Sequence, residues 1–414
     1  MTWERVPLKE LGDWYGGGTP SKSNPAFWTD GDVPWLSPKD MGPEVLHGTQ
    51  DHVTSEAVSG SSTKLVPAGS VAVVTRSGIL ERTIPVSIVP FATTMNQDMK
   101  AVVPRAGIDP RWIAWGLRAF ERDLLRDTRK AGTTVASIEM PRWYGFKLPV
   151  PPLEEQRRIV AILEDHLSRL DAADAAIGRS WTRAGRMHES LLSQTVTQAR
   201  DTANTVVGIG ELGRVTSGMT PLKGNRLFYE GGTIPWITSG DLWRGTITEA
   251  SQFVTQRALA ETSLKLLPPG SLLVAMYGEG KTRGASAELA IEATTNQACA
   301  GIVLSDDSLR PWVRLVLKAN YGALRRLAAG GVQPNLNLSI VKALQVPIPS
   351  TAERAAAQER VSESEVIVER LQSELKTAQR RSAALRRSLL AAAFSGRLSG
   401  SSPEMSVVEG RIEA

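Results

Sequence analysis

The chain has 414 residues and a mass of 44.7 kDa, enough for two or three domains at roughly 100 to 200 residues each. With 42% hydrophobic and 22% charged residues, 36 Gly and 24 Pro, its composition is globular and argues against collagen-like, disordered and membrane classes. A balance of 48 Lys+Arg against 43 Asp+Glu leaves +5, a modest pointer to nucleic acid as partner.

The opening MTWERVPLKEL lacks the basic and apolar regions of an export signal, and no apolar run reaches the roughly 18 residues of a spanning helix. A cytoplasmic location without membrane contact is expected. The single Cys299 can form no internal disulfide, and His47, His52, His166 and His188 show no metal-ligand spacing, which speaks against structural zinc.

Residues 8–41 recur as residues 209–242, with 13 of 34 positions identical at an offset of 201. Thr19/Thr220, Pro20/Pro221, Lys22/Lys223, Trp35/Trp236 and Asp40/Asp241 are among them, and the match continues through Asn96-Gln97 and Asn296-Gln297 to Trp112 and Trp312. The first half, residues 1–152, reads as mixed α/β: a buried strand over 70–75 after a Gly turn, a helix over 111–130, and a closing Pro149-Val150-Pro151. Residues 153–199 then read as a long helix. Glu154 and Glu155 sit in its first turn, where the helix dipole favours acid, and Leu163, Leu167, Leu170, Ile177 and Trp181 share one apolar stripe.

The second half, residues 200–350, repeats the pattern with a strand over 271–276, a helix over 311–328 and Pro347-Ile348-Pro349. A second helix over 351–399 opens on a capping box at Ser350-x-x-Glu353. It carries a heptad seam through Val361, Val368, Leu371, Leu375, Leu385 and Leu389. Residues 400–414 read as a flexible tail. Because the linker near Arg200 is short, the second α/β domain starts beside the end of helix one and finishes at the start of helix two. Parallel helices would separate those points by about 60 Å, so an antiparallel coiled coil is expected. The fold class is thus an internally duplicated mixed α/β chain with two α/β domains, each followed by a long helix, and the helices paired.

Enzymatic motifs are missing. Gly278-Glu279-Gly280-Lys281-Thr282 resembles a phosphate loop, but Ala275 stands where that motif needs glycine. No amino-methyltransferase, zinc-protease or nucleophile-elbow signature occurs, so the chain reads as non-catalytic, with no cofactor or metal of its own. Arg118, Arg122, Arg126 and Arg129/Lys130 recur at helical spacing, as do Arg310, Arg314, Lys318 and Arg325/Arg326 in the second half. Positions identical in both halves suit scaffold or phosphate contacts; positions that differ suit base reading. Lys22 and Lys223, identical in both halves, are therefore phosphate candidates, joined by Arg122 and Lys318 of the helical basic stripes, and Lys39, Arg76, Arg82, Arg244, Lys281 and Arg283 are base-reading candidates. Thr19-Pro20, Pro34-Trp35 and Asn96-Gln97 are assigned turn, core and buried-amide roles.

In the order and duplication of these motifs, with Leu153-Glu-Glu-Gln-Arg-Arg-Ile-Val160 and Ser388-Leu-Leu-Ala-Ala-Ala-Phe-Ser-Gly-Arg-Leu398, the chain resembles the specificity (S) subunits of type I restriction-modification systems. The resemblance implies two target-recognition domains, each reading one part of a split asymmetric sequence in double-stranded DNA, and a coiled coil that sets the gap. It also implies docking of two methyltransferase (modification) subunits per chain, with restriction subunits joining through that complex. S-adenosylmethionine, ATP and Mg would belong to those partners. One departure is Ser350-Thr-Ala-Glu-Arg-Ala-Ala-Ala-Gln358, where the Leu-x-Glu-Gln pattern is degenerate. The rival reading is a coiled-coil scaffold whose duplicated domains bind protein or glycan.

Overall fold

The structure, a computed structural model, describes residues 3–130, 135–278, 281–329 and 335–398. The tail expected at 400–414 lies outside the described residues. The chain divides into two compact units, Met1–Ile177 with Thr377–Ala414, and Gly178–Lys376, so each unit takes part of both long helices along with one α/β segment.

In the first unit a four-stranded antiparallel sheet runs in the order Gly12–Gly16, Met99–Pro104, Ser70–Val74, Val86–Val89. Every residue of Ser70–Val74 is buried, which is why Val71–Val74 is continuously apolar and not alternating. A smaller sheet joins Asp51–Val53 and Thr94–Met95 to the two edges of Val33–Leu36, the last pair parallel. A third ladder pairs Glu4–Pro7 with Lys147–Val150 and so fixes the proline segment that leads into the first long helix.

The helix expected over 111–130 is two helices, Pro110–Ala119 and Glu121–Thr128. Phe120 between them takes φ −100° and ψ 15°, and its ring lies edge-on to Phe146 and Phe394 at 5.9 and 6.0 Å. Trp112 is nearly fully buried; its indole donates to the Pro149 carbonyl at 2.9 Å and its ring meets Phe394 at 4.3 Å.

The second unit repeats this plan with one addition. Its main sheet has the order Gly213–Ser217, Cys299–Leu304, Leu272–Ala275, Ser286–Leu289, then Thr246–Ile247 as a fifth, parallel strand. At the matching edge of the first unit there is only the isolated parallel bridge Val45↔Ile88. The helix expected over 311–328 is likewise broken, into Arg310–Ala319 and Tyr321–Ala329, with the Asn320 carboxamide donating back to the Val316 carbonyl at 2.8 Å. Trp312 donates to Pro347 at 2.7 Å, the counterpart of Trp112 on Pro149.

The long helices span Leu153–Thr202 and Thr351–Phe394. The capping box at the second is formed: Glu353 accepts from the Ser350 amide at 2.9 Å and its hydroxyl at 2.7 Å, while the Glu353 amide donates to Ser350 Oγ at 3.3 Å. That helix stops short of 399, with Gly396 in the left-handed region at φ 79° just beyond its end.

Within the first unit Arg158 donates to the Leu398 carbonyl at 2.9 Å and Arg386 bonds Asp171, so rising numbers on one helix meet falling numbers on the other. Leu163, Leu167 and Leu389 are buried in that contact, and Leu170 packs against it; Ile177 and Leu385 are half-buried. Within the second unit Leu192, Val196 and Ala199 share a core with Ala357 and Val361. His188 Nδ1 lies 3.4 Å from the Ser364 hydroxyl there, the same antiparallel sense. Val368, Leu371 and Leu375 are half-buried, but Trp181 is 41% exposed and departs from the expected seam. Its neighbours on the same helix face include Gly178, Ala184 and Gly185, which are too small to cover it, and its ring finds no aromatic or guanidinium partner among the described residues. No helix among the described residues is long and apolar enough to cross a membrane.

Candidate nucleic-acid interface

In the first unit four loops remote in sequence are tied side by side. Gly17 enters against the Asn96 carbonyl so closely that a Cβ there would stand 1.6 Å from the oxygen, which explains a glycine at this point of the repeat. The Gly18 amide donates to Met95 at 2.7 Å, Trp35 holds the Gly18 carbonyl at 3.2 Å, and the Thr19 hydroxyl bonds the Gln97 carboxamide oxygen. Next along, the Asn96 carboxamide accepts from the Asp98 amide at 3.0 Å, and the Asp98 carbonyl in turn accepts from the Thr75 and Arg76 amides at 2.8 and 3.3 Å. Ser77 donates to Ala136 at 3.0 Å and Lys130 to Ser137 at 2.9 Å, adding the fourth loop. Lys22, Arg76, Arg82, Gln97, Arg129 and Lys130 on these loops are all exposed.

The second unit builds the same ladder. Gly218 lies where a Cβ would be 2.2 Å from the Thr295 carbonyl, Met219 donates to Thr295 at 2.9 Å, Trp236 holds Met219 at 3.1 Å, and Thr220 bonds Gln297. The Ala298 carbonyl accepts from the Met276 and Tyr277 amides at 2.7 and 3.4 Å, and Leu336 donates to Met276 at 3.1 Å. Here the exposed groups are more aromatic. Tyr277 is 37% and Trp243 51% exposed; the Trp243 ring meets Tyr321 at 6.1 Å, and the Tyr321 hydroxyl donates to the Lys281 carbonyl at 2.7 Å. The Arg325 guanidinium lies 5.5 Å over the Tyr321 ring.

Of the phosphate candidates, Lys22 and Lys223 are exposed in equivalent loops, and Arg122 is exposed on Glu121–Thr128. Lys318 departs from its expected role: its ammonium pairs with Glu365 of the second long helix at 2.7 Å, with both side chains about two-thirds covered. Among the base-reading candidates, Arg76, Arg82 and Lys281 are exposed. Lys39 pairs with Asp51 at 2.8 Å, a hydrogen bond that raises its pKa, and Arg244 pairs with Glu249 at 3.4 Å. Such exposed pairs add little to stability and are readily exchanged for another anion. Arg283 is half-buried, and its Nε has no hydrogen-bond partner among the described residues.

The basic stripe read along the helices is mostly structural. Arg118 donates to the Val86 carbonyl at 2.7 Å, pairs with Glu44 at 3.4 Å and covers the Trp115 ring at 4.8 Å; burial lowers its pKa, against the attraction of Glu44. Arg314 reaches Glu288 at 2.8 Å, the Gly245 carbonyl at 3.1 Å and the Thr246 hydroxyl at 3.0 Å. Both fasten a helix to the outer strands of a sheet. Arg126 is engaged by Asp123 and Asp127.

The residue-by-residue reading of the repeat missed three groups. Asn96 is buried as an amide should be, but Gln97 and Gln297 are exposed. Trp243 and Tyr321 meet only in the fold, so nothing local marks them. Tyr277 was legible, because the offset of 201 sets it opposite Arg76. No group of three or more His, Cys, Asp or Glu that could hold a metal occurs among the described residues.

The family model described as type I restriction modification DNA specificity domain matches residues 1–175 and 203–381. The chain is 48% identical over 157 residues to the type I restriction enzyme EcoR124I/EcoR124II specificity subunit of Escherichia coli; the match spans 38% of this chain and 39% of that relative. It therefore covers well under half the length of that curated relative. Among solved structures, a chain from a study titled as the structural basis of complex assembly and conformational transition of the type I R-M system superposes with a TM-score of 0.77 at 16% identity, over 95% of this chain and 98% of the other. The HsdS subunit from Thermoanaerobacter tengcongensis superposes with a TM-score of 0.54 at 17% identity, over 95% and 97%. At these identities the two superpositions speak to the fold, which is the duplicated α/β fold described above.

Proposed function

The chain belongs to the type I restriction-modification DNA specificity domain family, and from that premise we propose that it is the sequence-reading subunit of such a complex, each unit taking one half of a split, asymmetric duplex DNA target. The observation that carries this reading is the duplicated loop ladder, identical in its glycine, threonine and glutamine positions and different in other side chains it exposes, Arg76 against Tyr277 among them. Two like platforms with unlike surface chemistry suit two unlike half-sites, whereas a palindrome needs only a homodimer. Lys22 and Lys223 supply phosphate contacts common to both, so binding weakens steeply with salt.

The chain itself is non-catalytic in this proposal and works in the cytoplasm. Methyltransferase subunits, two per chain, dock along the long helices, where Val366 and Ile367 are exposed at 63% and 65%. Restriction subunits join through them, and S-adenosylmethionine, ATP and Mg stay with those partners. The paired helices act as a coiled-coil spacer between half-sites. The test is long-read detection of modified adenines in host DNA with and without this chain. Loss of methylation at one split asymmetric motif is expected; an unchanged methylome with the methyltransferase demonstrably expressed sinks the reading and leaves a scaffold in its place.

A further inference from the structure

Arg76 and Tyr277 occupy one and the same backbone slot. Each is the second of two consecutive residues whose amides converge on a single carbonyl, Asp98 at 2.8 and 3.3 Å for Thr75 and Arg76, Ala298 at 2.7 and 3.4 Å for Met276 and Tyr277. The preceding strands, Ser70–Val74 and Leu272–Ala275, are buried throughout, so both positions are launched from a rigid floor. Beside each slot stands the same Thr-to-Gln bridge. A segment from after the short helices also reaches the slot in both units, Ile138 donating to Thr75 at 2.8 Å and Leu336 to Met276 at 3.1 Å.

The backbone frame and the Thr-to-Gln bridge are thus shared, with Met276 and Ala298 standing where the first unit has Thr75 and Asp98, and the exposed side chain of the slot is not. A shared frame cannot by itself give two domains different preferences; a guanidinium in one slot and a phenol in the other can. Arg76 has the fork that matches guanine O6 and N7 in the major groove. Tyr277 has a flat, partly apolar face and one hydroxyl, which cannot form that bidentate pair but can meet a thymine methyl or accept and donate a single bond. Arg76 is exposed, and no ion pair to it occurs among the described residues, so its guanidinium is available without breaking a structural contact.

We propose that this slot is the half-site discriminator: Arg76 reads a guanine in the half-site taken by the first unit, and Tyr277 a non-guanine base at the matching place in the other. The assignment rests on the DNA-reading function proposed above. Its test is the methylome written by the complex of the full chain with its methyltransferase, comparing wild type, Arg76→Lys, Arg76→Tyr and Tyr277→Ala, each checked for an unchanged melting profile. Arg76→Lys keeps the charge and loses the fork, so one guanine of one half-site should become about tenfold or more less strictly required, with the other half-site untouched. Arg76→Tyr should do the same more fully, and Tyr277→Ala should relax one position of the other half-site only. An unchanged motif in both Arg76 variants, or Arg76→Lys behaving as wild type while Arg76→Tyr weakens all duplexes uniformly, makes the slot a charge contact and overturns the assignment. A wild-type complex that marks no split motif overturns the DNA reading itself and this assignment with it.

Discussion

Gln156 offers the sharpest test of how the first long helix is held to its domain. It is fully buried, accepts from the Asp109 amide at 2.9 Å, and donates to the Pro151 and Gly107 carbonyls at 2.8 and 3.0 Å. Gln156→Leu keeps the volume and removes all three bonds. Asp109 and Pro151 are buried and would be orphaned, whereas Gly107 is exposed and its carbonyl can turn to water. Two buried orphans at roughly 1 to 3 kcal/mol each put the loss at about 3 kcal/mol. For a unit of this size, that lowers Tm by on the order of 10 °C.

The second half supplies the control. At the matching position stands Arg354, which bonds only Thr351 Oγ1, at 3.0 Å, and whose Nε is buried without a hydrogen-bond partner among the described residues. Arg354→Leu should therefore lose less than about 1 kcal/mol. Calorimetry on the full chain, with hydrogen exchange of the peptide holding Asp109, measures both. Equal losses from the two variants, or an Asp109 amide still protected in Gln156→Leu, would refute the clamp.

Other expectations follow from the same contacts. Arg314→Leu should leave Glu288 unpaired by it and destabilise the second unit by about 2 kcal/mol, read by urea unfolding; the exposed Arg122→Leu should change stability by less than about 0.5 kcal/mol. Trp181→Ala should cost under about 1 kcal/mol, while Leu163→Ala, fully buried, should cost about 2 to 5 kcal/mol. Burial, and secondarily Asp241, pushes the Cys299 thiol well above its ordinary 9.0. The unfolded chain then ionises first, so stability is intact below about pH 9 and falls above it, at about 1.4 kcal/mol per pH unit. Cys299→Ala should flatten that slope, and thiol reagents should reach Cys299 only on unfolding. Inserting four residues into each long helix should change the permitted gap between half-sites in the methylome and leave the half-sites themselves alone; an unchanged gap would remove the helices as a spacer.

Much of this molecule was written locally. The offset of 201 announced two copies of one domain, the Ser350-Glu353 spacing announced a capping box, and the apolar run at 70–75 announced a buried strand; each depends on residues a few positions apart or on comparing the chain with itself. The identity of Asp40 with Asp241 likewise reflects a shared local bond, from the Ser37 amide at 2.8 Å and the Thr238 amide at 2.9 Å. What a cation does was not local. Arg118, Arg314 and Lys318 look alike in sequence to Arg76 and Lys22, yet their partners Glu44, Glu288 and Glu365 arrive from remote segments. The breaks at Phe120 and Asn320 also escaped periodicity, because the stripe of apolar residues continues across them while the rings of Phe146 and Phe394 decide where Phe120 turns. Sequence by itself determined the repeat, the element types and the stock of basic residues. The tertiary structure alone decided which of those residues face water, since exposure depends on what distant chain packs alongside; the offset of 201 pairs Arg76 with Tyr277, and the fold adds that both are exposed where four separate loops are tied into one edge.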